Sequence, residues 1–331
     1  MVRIGLVGSG FMAQTHLDRY RAMDDARVVA VASPTAASSF VAENGLDATA
    51  HTDAGAMMDG DAALDAVDVC SPTPTHRSLV TAAVERGFDV FCEKPLTLTV
   101  ADAEAVADAV AAADGSLFVG HVLRFFPAYR ELAETLSAGA IGEPGTVRAR
   151  RVSPFPDWAD WYADADRSGG VFHDLAIHEF DFCRWTVGDV ERVFARVHRD
   201  ERCQRGHSTL RFANGAVGVV EAGWDRPAGG ELESAFEVAG ERGVVAYESD
   251  TGVPLRFEGT GGDRDTGEVD LPPPVRRDGY RRELDAFVEM VTTGGPPPVP
   301  VRDAVEAVRL AVAARRSAAR NEPVVVREVD A

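Results

Sequence analysis

Val2-Arg3-Ile4-Gly5-Leu6-Val7-Gly8-Ser9-Gly10-Phe11-Met12-Ala13 decides the fold of this chain. An apolar strand from Val2 to Val7 runs into G-x-G-x-x-A and then into a helix through Thr15, Leu17 and Tyr20. Strand, glycine turn and helix start together are the context in which this spacing binds a dinucleotide. Gly8 permits the tight turn, Gly10 lets a pyrophosphate approach the backbone, and Ala13 lets helix pack on strand. The first-turn N–H groups and the helix dipole then receive the anion. Gly8, Gly10, Phe11, Met12 and Ala13 are accordingly the first cofactor-binding candidates, and a second strand, Val28 to Ala32, follows at the expected distance.

The end of that second strand is where a carboxylate commonly holds the adenosine ribose. Here the tract is Ser33-Pro34-Thr35-Ala36-Ala37-Ser38, with no acid before Glu43. Ser33 and Thr35 are candidates to donate to a 2′-phosphate, which favours NADP(H) over NAD(H), although no arginine follows to clamp it. Ser33 also reads as a helix N-cap with Pro34 at the first helical position.

Alternation continues. A strand from Leu64 to Cys70 ends in the turn Ser71-Pro72-Thr73-Pro74-Thr75-His76, and a helix from Thr75 to Arg86 follows. Ser71, Thr73 and His76 join the cofactor candidates; His76 reads equally as a solvated residue in the first helical turn. Phe88 to Cys92 is the next strand and runs into Glu93-Lys94-Pro95. Lys94 is the sole lysine of the chain, all other members of its 34 Lys+Arg being arginine. An ammonium is a compact, titratable charge that a guanidinium does not replace, so the amine at Lys94 reads as a chemical requirement. A helix from Ala101 to Ala113 and a strand from Ser116 to Gly120 complete a doubly wound parallel sheet. Its functional turns all lie at strand C-termini. The first domain is thus expected over residues 1–121.

Beyond Gly120 the pattern changes. A helix through Leu136 ends at Gly139 to Gly142, a strand begins near Thr146, and an aromatic loop from Pro154 to Tyr162 leads to Gly169-Gly170 and a further helix. Gly-punctuated strands follow near Arg192–Val197, Ser208–Phe212, Ala216–Ala222, Ser234–Ala239 and Gly243–Glu248, a grammar of antiparallel pairing. Residues 122–331 therefore read as an α+β domain with a large, open, mostly antiparallel sheet, closed by a helix from Val301 to Arg320. Gly259 to Gly267 reads as a flexible stretch. On a continuous helix after Gly170, Asp174, His178 and Asp181 would share one face. A carboxylate one turn from an imidazole is a base with its orienter. No third His or Cys converges on the pair, so a metal is not expected.

At 331 residues and 45% hydrophobic content the chain has material for two cores, and it lacks a run long and apolar enough for a membrane span. It opens directly on a strand, without a signal-peptide pattern, and Cys70, Cys92, Cys183 and Cys203 lack paired spacing. A reducing cytoplasm is the expected setting. The net charge of −19 repels phosphate backbones and argues against a nucleic-acid partner. Acidic, lysine-poor composition also suits a high-salt cytoplasm, where charge is screened.

The Gly8–Ala13 fingerprint, Glu93-Lys94-Pro95, and Gly169-Gly170 followed by Asp174 and His178 together resemble the Gfo/Idh/MocA oxidoreductases, over nearly the whole chain. The resemblance implies a Rossmann domain that binds NAD(P). It also implies a C-terminal domain that holds substrate and pairs subunits through its sheet, as a homodimer or homotetramer. It places Lys94 beside the nicotinamide, often with a cis bond to the proline, and Glu93 in the cofactor-binding motif; Lys94, Asp174 and His178 match the catalytic set. Pocket-lining segments fall at Arg124, Trp158, Trp161 and Tyr162, and Tyr280 opens a helix from which it too is a substrate candidate. The aromatic loop reads equally as a hydrophobic plug between domains. The implied activity is hydride transfer between a nicotinamide and a secondary or anomeric alcohol of a sugar or cyclic polyol. The alternatives are a relative with tightly bound, self-regenerating nicotinamide (a glycosidase or sugar oxidoreductase) and a non-catalytic redox sensor. Ser33 departs from the aspartate common in NAD-preferring members.

Overall fold

The computed structural model describes the chain except residues 61–62, 201–202, 250–254, 260–265, 270–277 and 330–331. It divides into two compact units, one of Met1–His121 with Tyr280–Val305, the other of Val122–Gly279 with Glu306–Ala331.

In the first unit β1 (Val2–Val7), α1 (Phe11–Tyr20), β2 (Ala26–Ala32), α2 (Ala37–Glu43), β3 (Thr49–His51), α3 (Ala54–Met58), β4 (Ala66–Val69), α4 (His76–Val84), β5 (Asp89–Cys92), α5 (Val100–Ala112) and β6 (Leu117–Val119) follow in order. The six strands pair in parallel in the order β3-β2-β1-β4-β5-β6. Strand order reverses beside β1, the topological switch point at which such sheets bind ligands. Ile4, Leu6, Val67, Val69, Val90, Phe91 and Val119 are sealed on both faces, as a sheet covered by helices requires.

The first unit's first stretch ends at His121. Residues 280–305 group with the first unit rather than with the C-terminal one. The reason is packing: Phe287 of α10 (Gly279–Thr293) lies 5.6 Å from Phe91 and 6.4 Å from Phe118, ring centre to ring centre. Phe287 and Leu284 are fully buried there.

The second unit contains α6 (Pro127–Ser137), β7 (Pro144–Pro154), α7 (Ala165–Ser168), α8 (Val171–Asp174), α9 (Ala176–Val187), β8 (Val190–Arg199), β9 (Gln204–Phe212), β10 (Val217–Arg226), β11 (Glu233–Gly240), β12 (Gly243–Glu248), β13 (Leu255–Gly259) and β14 (Thr266–Val269). After α10, the chain continues through α11 (Val301–Arg320) to β15 (Val324–Val325). Nine strands form one sheet in the order β14-β13-β12-β11-β7-β10-β9-β8-β15, antiparallel throughout except for β7 beside β10. Alternation is clean: Ser208, Leu210 and Phe212 of β9 are buried while His207, Thr209 and Arg211 are exposed. One face is therefore core and the other open. Of the Gly259–Gly267 stretch, the ends lie in β13 and β14 and residues 260–265 fall outside the described residues.

Candidate functional site

Register lines up the ends of three strands. Val7 pairs with Val69, and Val69 with Cys92, so the residues that follow emerge side by side on the C-terminal edge of the first sheet. Hydrogen bonds from Cys70 N–H to the Val7 carbonyl (2.8 Å) and from Glu93 N–H to the Val69 carbonyl (3.0 Å) hold them there. The Gly8 turn, the Ser71–His76 turn and Glu93-Lys94-Pro95 thus share one edge.

Gly8 has φ +121°, and a Cβ on it would meet the Cys70 carbonyl oxygen at 2.7 Å. Only glycine fits. A Cβ on Gly10 would meet nothing within 4 Å. Gly10 caps α1 without any side-chain bond, and the first turn carries no acid. The helix start therefore offers open space and, as at any helix start, N–H groups that lack an intrahelical partner, the fit that a pyrophosphate requires. Ala13 is fully buried against the sheet, whereas Phe11 is 60% exposed and Met12 half-buried.

Ser33 does not cap a helix: α2 begins four residues later, and its N-cap is Ala36. The Ser33 hydroxyl lies 3.0 Å from the Ser9 hydroxyl of the glycine turn, which joins the second strand end to the first. Thr35 is exposed. Ser71 shares a 2.7 Å hydrogen bond with Thr75, and Thr73 is buried.

His76 is not a solvated first-turn residue, being 1% exposed. Its Nδ1 lies 2.9 Å from the Pro95 carbonyl and its Nε2 2.8 Å from the Ser71 carbonyl, so it ties the β4 turn to the segment carrying Lys94. Burial pushes its pKa below the usual imidazole range, against the pull of the two carbonyls and the Glu93 charge. The Lys94–Pro95 bond is cis, in keeping with the resemblance. Lys94 is half-exposed, and its neighbours Glu93 and Pro95 are buried.

In the second unit Gly169 and Gly170 have φ +73° and +67°, a left-handed pair that non-glycine residues resist. The Gln204 side-chain oxygen accepts from Val171 N–H at 3.3 Å and sits where a Gly170 Cβ would fall. The turn feeds α8, but the continuous helix expected after it is broken. Leu175, at φ −99° and ψ −58°, separates α8 from α9. Asp174 ends the first helix, and His178, 9% exposed, lies in the first turn of the second. Asp181 leaves the expected Asp/His face for a buried pair. It accepts from Arg124 Nε at 2.9 Å and Nη2 at 2.6 Å, and the guanidinium lies over the Trp185 ring at 5.2 Å.

The aromatic loop has folded largely on itself. Trp161 stacks on Tyr162 at 4.0 Å, and Tyr162 and Phe155 pack edge-on against buried Trp224. Trp158 stays 58% exposed. Tyr280 belongs to the first unit, its ring 5.8 Å from the Arg19 guanidinium of α1. All four cysteines are free thiols. A buried cluster in the first unit was not anticipated from the sequence: His16 lies 2.8 Å from Asp68 and 3.2 Å from Glu93, with Glu283 beside them, and His16, Asp68 and Glu283 carry no motif.

A glycine turn shaped for a dinucleotide at the switch point of a Rossmann sheet, with one amine on the same edge, defines a nicotinamide-dependent oxidoreductase. Comparison with known proteins agrees. Residues 2–121 match the oxidoreductase family, NAD-binding Rossmann fold, and residues 129–246 match the GFO/IDH/MocA C-terminal domain. A myo-inositol 2-dehydrogenase of Thermotoga maritima is 32% identical, with 99% of each chain covered. The crystal structure of a probable dehydrogenase from Thermotoga maritima superposes with a TM-score of 0.83 at 32% identity, covering 99% of this chain and 100% of that one. A levoglucosan dehydrogenase in complex with NADH and L-sorbose shares the fold at TM-score 0.87 and 24% identity, over 98% of each chain. The chain belongs to the Gfo/Idh/MocA oxidoreductase family.

Proposed function

We propose that this oxidoreductase oxidises a secondary or anomeric alcohol of a sugar or cyclic polyol, an inositol or aldose being the favoured substrate, with Lys94, Asp174 and His178 as its catalytic set. The observation that carries the reading is the single lysine of the chain standing on the same sheet edge as the dinucleotide turn. The names of related proteins, inositol and sugar dehydrogenases, support the substrate class.

Gly8, Gly10, Phe11, Met12 and Ala13 would hold the pyrophosphate, with Ser33, Thr35, Ser71, Thr73, His76 and Glu93 around the rest of the cofactor. The nicotinamide, when bound, supplies the hydride acceptor. His178 takes the hydroxyl proton on a ring nitrogen, Asp174 orients that ring and steadies its charge, and Lys94 Nζ hydrogen-bonds the reacting oxygen as negative charge builds on it. Trp158, Trp161, Tyr162, Arg124 and Tyr280 are proposed to shape the sugar site. Exposed Trp158 supplies a flat apolar face suited to ring C–H groups. The absence of an acid after β2 supports NADP(H) over NAD(H). We further propose a cytoplasmic, salt-adapted homodimer or homotetramer; exposed Val217 and Val219 on the open face of β10 support pairing through that sheet.

The test is absorbance at the reduced-nicotinamide band, in high salt, with NAD and NADP crossed against inositols, aldoses and lactones. Lys94→Ala and His178→Ala are each expected to lower kcat by roughly two orders of magnitude or more while dinucleotide binding persists. Near-wild-type turnover in either variant defeats the assignment.

A further inference from the structure

Beneath the Lys94 edge lies a set of side chains that the proposed chemistry does not use. His16 of α1, Asp68 of β4 and Glu283 of α10 are fully buried, and Glu93 is 6% exposed. Asp68 Oδ2 faces His16 Nδ1 at 2.8 Å and accepts from the Tyr20 hydroxyl at 3.0 Å, while the Cys70 thiol donates to Oδ1 at 3.3 Å. The other imidazole nitrogen, Nε2, lies 3.2 Å from Glu93 Oε1. The second Glu93 oxygen accepts the backbone N–H of Lys94 at 3.1 Å. Asp68, His16, Glu93 and Lys94 N–H therefore form one line of hydrogen bonds that ends on the catalytic lysine's own backbone.

A carboxylate on each side of one imidazole asks both ring nitrogens to donate, and only the imidazolium has two N–H groups. Burial opposes that charge, but the charge and hydrogen bond of Asp68, with Cys70 beside them, together hold the His16 pKa well above the usual range. Burial pushes the Cys70 thiol up, which leaves it neutral and a donor. Glu283 completes the set. One of its oxygens lies within 4.8 Å of both the His16 nitrogen and the Glu93 oxygen. Among the described residues neither oxygen has a hydrogen-bond donor. An ionised carboxylate in that position would be sealed from water beside the charge of Glu93, a costly arrangement.

We propose that Glu93 is a positioning residue for Lys94, held by an imidazolium on His16 that bridges it to Asp68, and that Glu283 keeps its proton beside them. The inference rests on Lys94 being the catalytic amine of the proposed dehydrogenase. The donor atoms of His16, Glu93 and Glu283 also resemble a divalent-cation site, with Asp68 as the second carboxylate behind the histidine. The proton reading is preferred because an imidazole donating from both nitrogens has no lone pair left for a metal.

The sole lysine makes the test direct. Protein grown with [15N]lysine gives one labelled backbone amide, the N–H bonded to Glu93. In His16→Gln and Glu93→Gln, that amide is expected to exchange with solvent about tenfold faster, the low end for weakening a charge-assisted bond. kcat should fall by a similar factor in both, and in His16→Gln, which lies behind the cofactor residues, KM and dinucleotide affinity should stay within about twofold. In wild type the resonance should also move as pH rises and Glu283 ionises, above the usual carboxylate range; the charged or titratable groups facing it are Glu93, His16, Asp68 and Tyr20. Glu283→Gln should abolish that movement. Should a variant fail to fold, the wild-type titration still decides. Wild-type exchange and kcat in His16→Gln and Glu93→Gln overturn the positioning role, as does a pH-invariant wild-type resonance. Stoichiometric metal on the purified protein, whose removal shifts the Lys94 signal, overturns the proton assignment in favour of a cation. If no sugar or polyol is turned over, the dehydrogenase reading fails, while the amide data still report on Glu93.

Discussion

In the second unit two carboxylates are buried against guanidinium groups: Asp181 takes both arms of Arg124, and Glu179 accepts from Arg151 Nε at 2.7 Å. In the first unit Asp68, Glu93 and Glu283 instead share one imidazole. Arginine stays charged at any pH a protein survives, so the second unit's pairs are fixed struts. Histidine and a protonated glutamate titrate, so the first unit's set responds to pH where the other does not. The unit that carries the sole lysine is thus the one built from exchangeable protons. A permanent cation anchors a scaffold, whereas a titratable one lets neighbouring charges be tuned, and perturbed groups of this kind gather at functional sites.

The contrast predicts its largest effect on the strut. Asp181→Ala removes the carboxylate from a buried Arg124 guanidinium, and breaking a buried pair from one side costs about 3–5 kcal/mol. Arg124→Met with Asp181→Leu removes both charges, fills the space with apolar atoms, and should recover most of that loss. Urea midpoints of the two single variants and the double variant measure it. A double variant no more stable than either single would show that the pair is wired into a wider network rather than standing alone.

A smaller effect, and one confined to the first unit, is expected from pH. His16 and Glu283 both have pKa values raised well above 6.5 and 4.5, the unperturbed values of the two groups. For His16 burial pulls the other way, and the Asp68 charge and hydrogen bond, with Cys70 beside them, together outweigh it; for Glu283 burial leads, with the Glu93 charge adding to it. Across the interval from each ordinary value to its raised one, the folded chain holds a proton that the unfolded chain has released. Stability from each is therefore complete below the ordinary value and is lost as pH rises through the raised one. His76 has the opposite sign: burial lowers its pKa, so its contribution is present above 6.5 and lost below. Comparing urea midpoints of wild type and Glu283→Gln from pH 5 to 9 isolates one member. The wild type should lose stability relative to the variant as pH rises. A constant difference would mean that Glu283 does not titrate in the folded chain.

Much of the first unit was legible because its signals are local. A six-residue apolar strand, the glycine turn and the helix beyond it are contiguous, and the strands β2, β4, β5 and β6 lie within a few residues of where the sequence places them. What escaped was short or non-local. The segment from α2 to α3 is built of elements of three to seven residues, too brief for a period to declare itself. The return of α10 to the first unit depends on Phe287 meeting Phe91 and Phe118, a contact no spacing encodes. The buried set draws His16, Asp68, Glu93 and Glu283 from four separate elements, and Glu283 reads in sequence as one more polar residue of an amphipathic helix. At Leu175 periodicity misled: Asp174, His178 and Asp181 keep helical spacing, but the chain breaks between the first two and Arg124 claims the third. Lys94, Asp174 and His178 are proposed as the catalytic set on motif and resemblance, which the kinetic test above decides.

The smallest expected effect comes from a third way of pairing charge, left in water. Arg302 at the start of α11 reaches Glu104 of α5 at 2.7 Å within the first unit, but its side chain is 60% exposed. Two long side chains must be ordered to make the pair, the solvent screens it, and such contacts are worth about 0–1 kcal/mol. Arg302→Ala should therefore move the urea midpoint far less than Asp181→Ala, and any difference should shrink further in molar salt, where the Debye length is about 3 Å. The buried Arg124–Asp181 pair is shielded by protein rather than by ions, so its cost should survive the same salt. If both variants lost their effect together in high salt, depth of burial would not be what separates the struts from the surface.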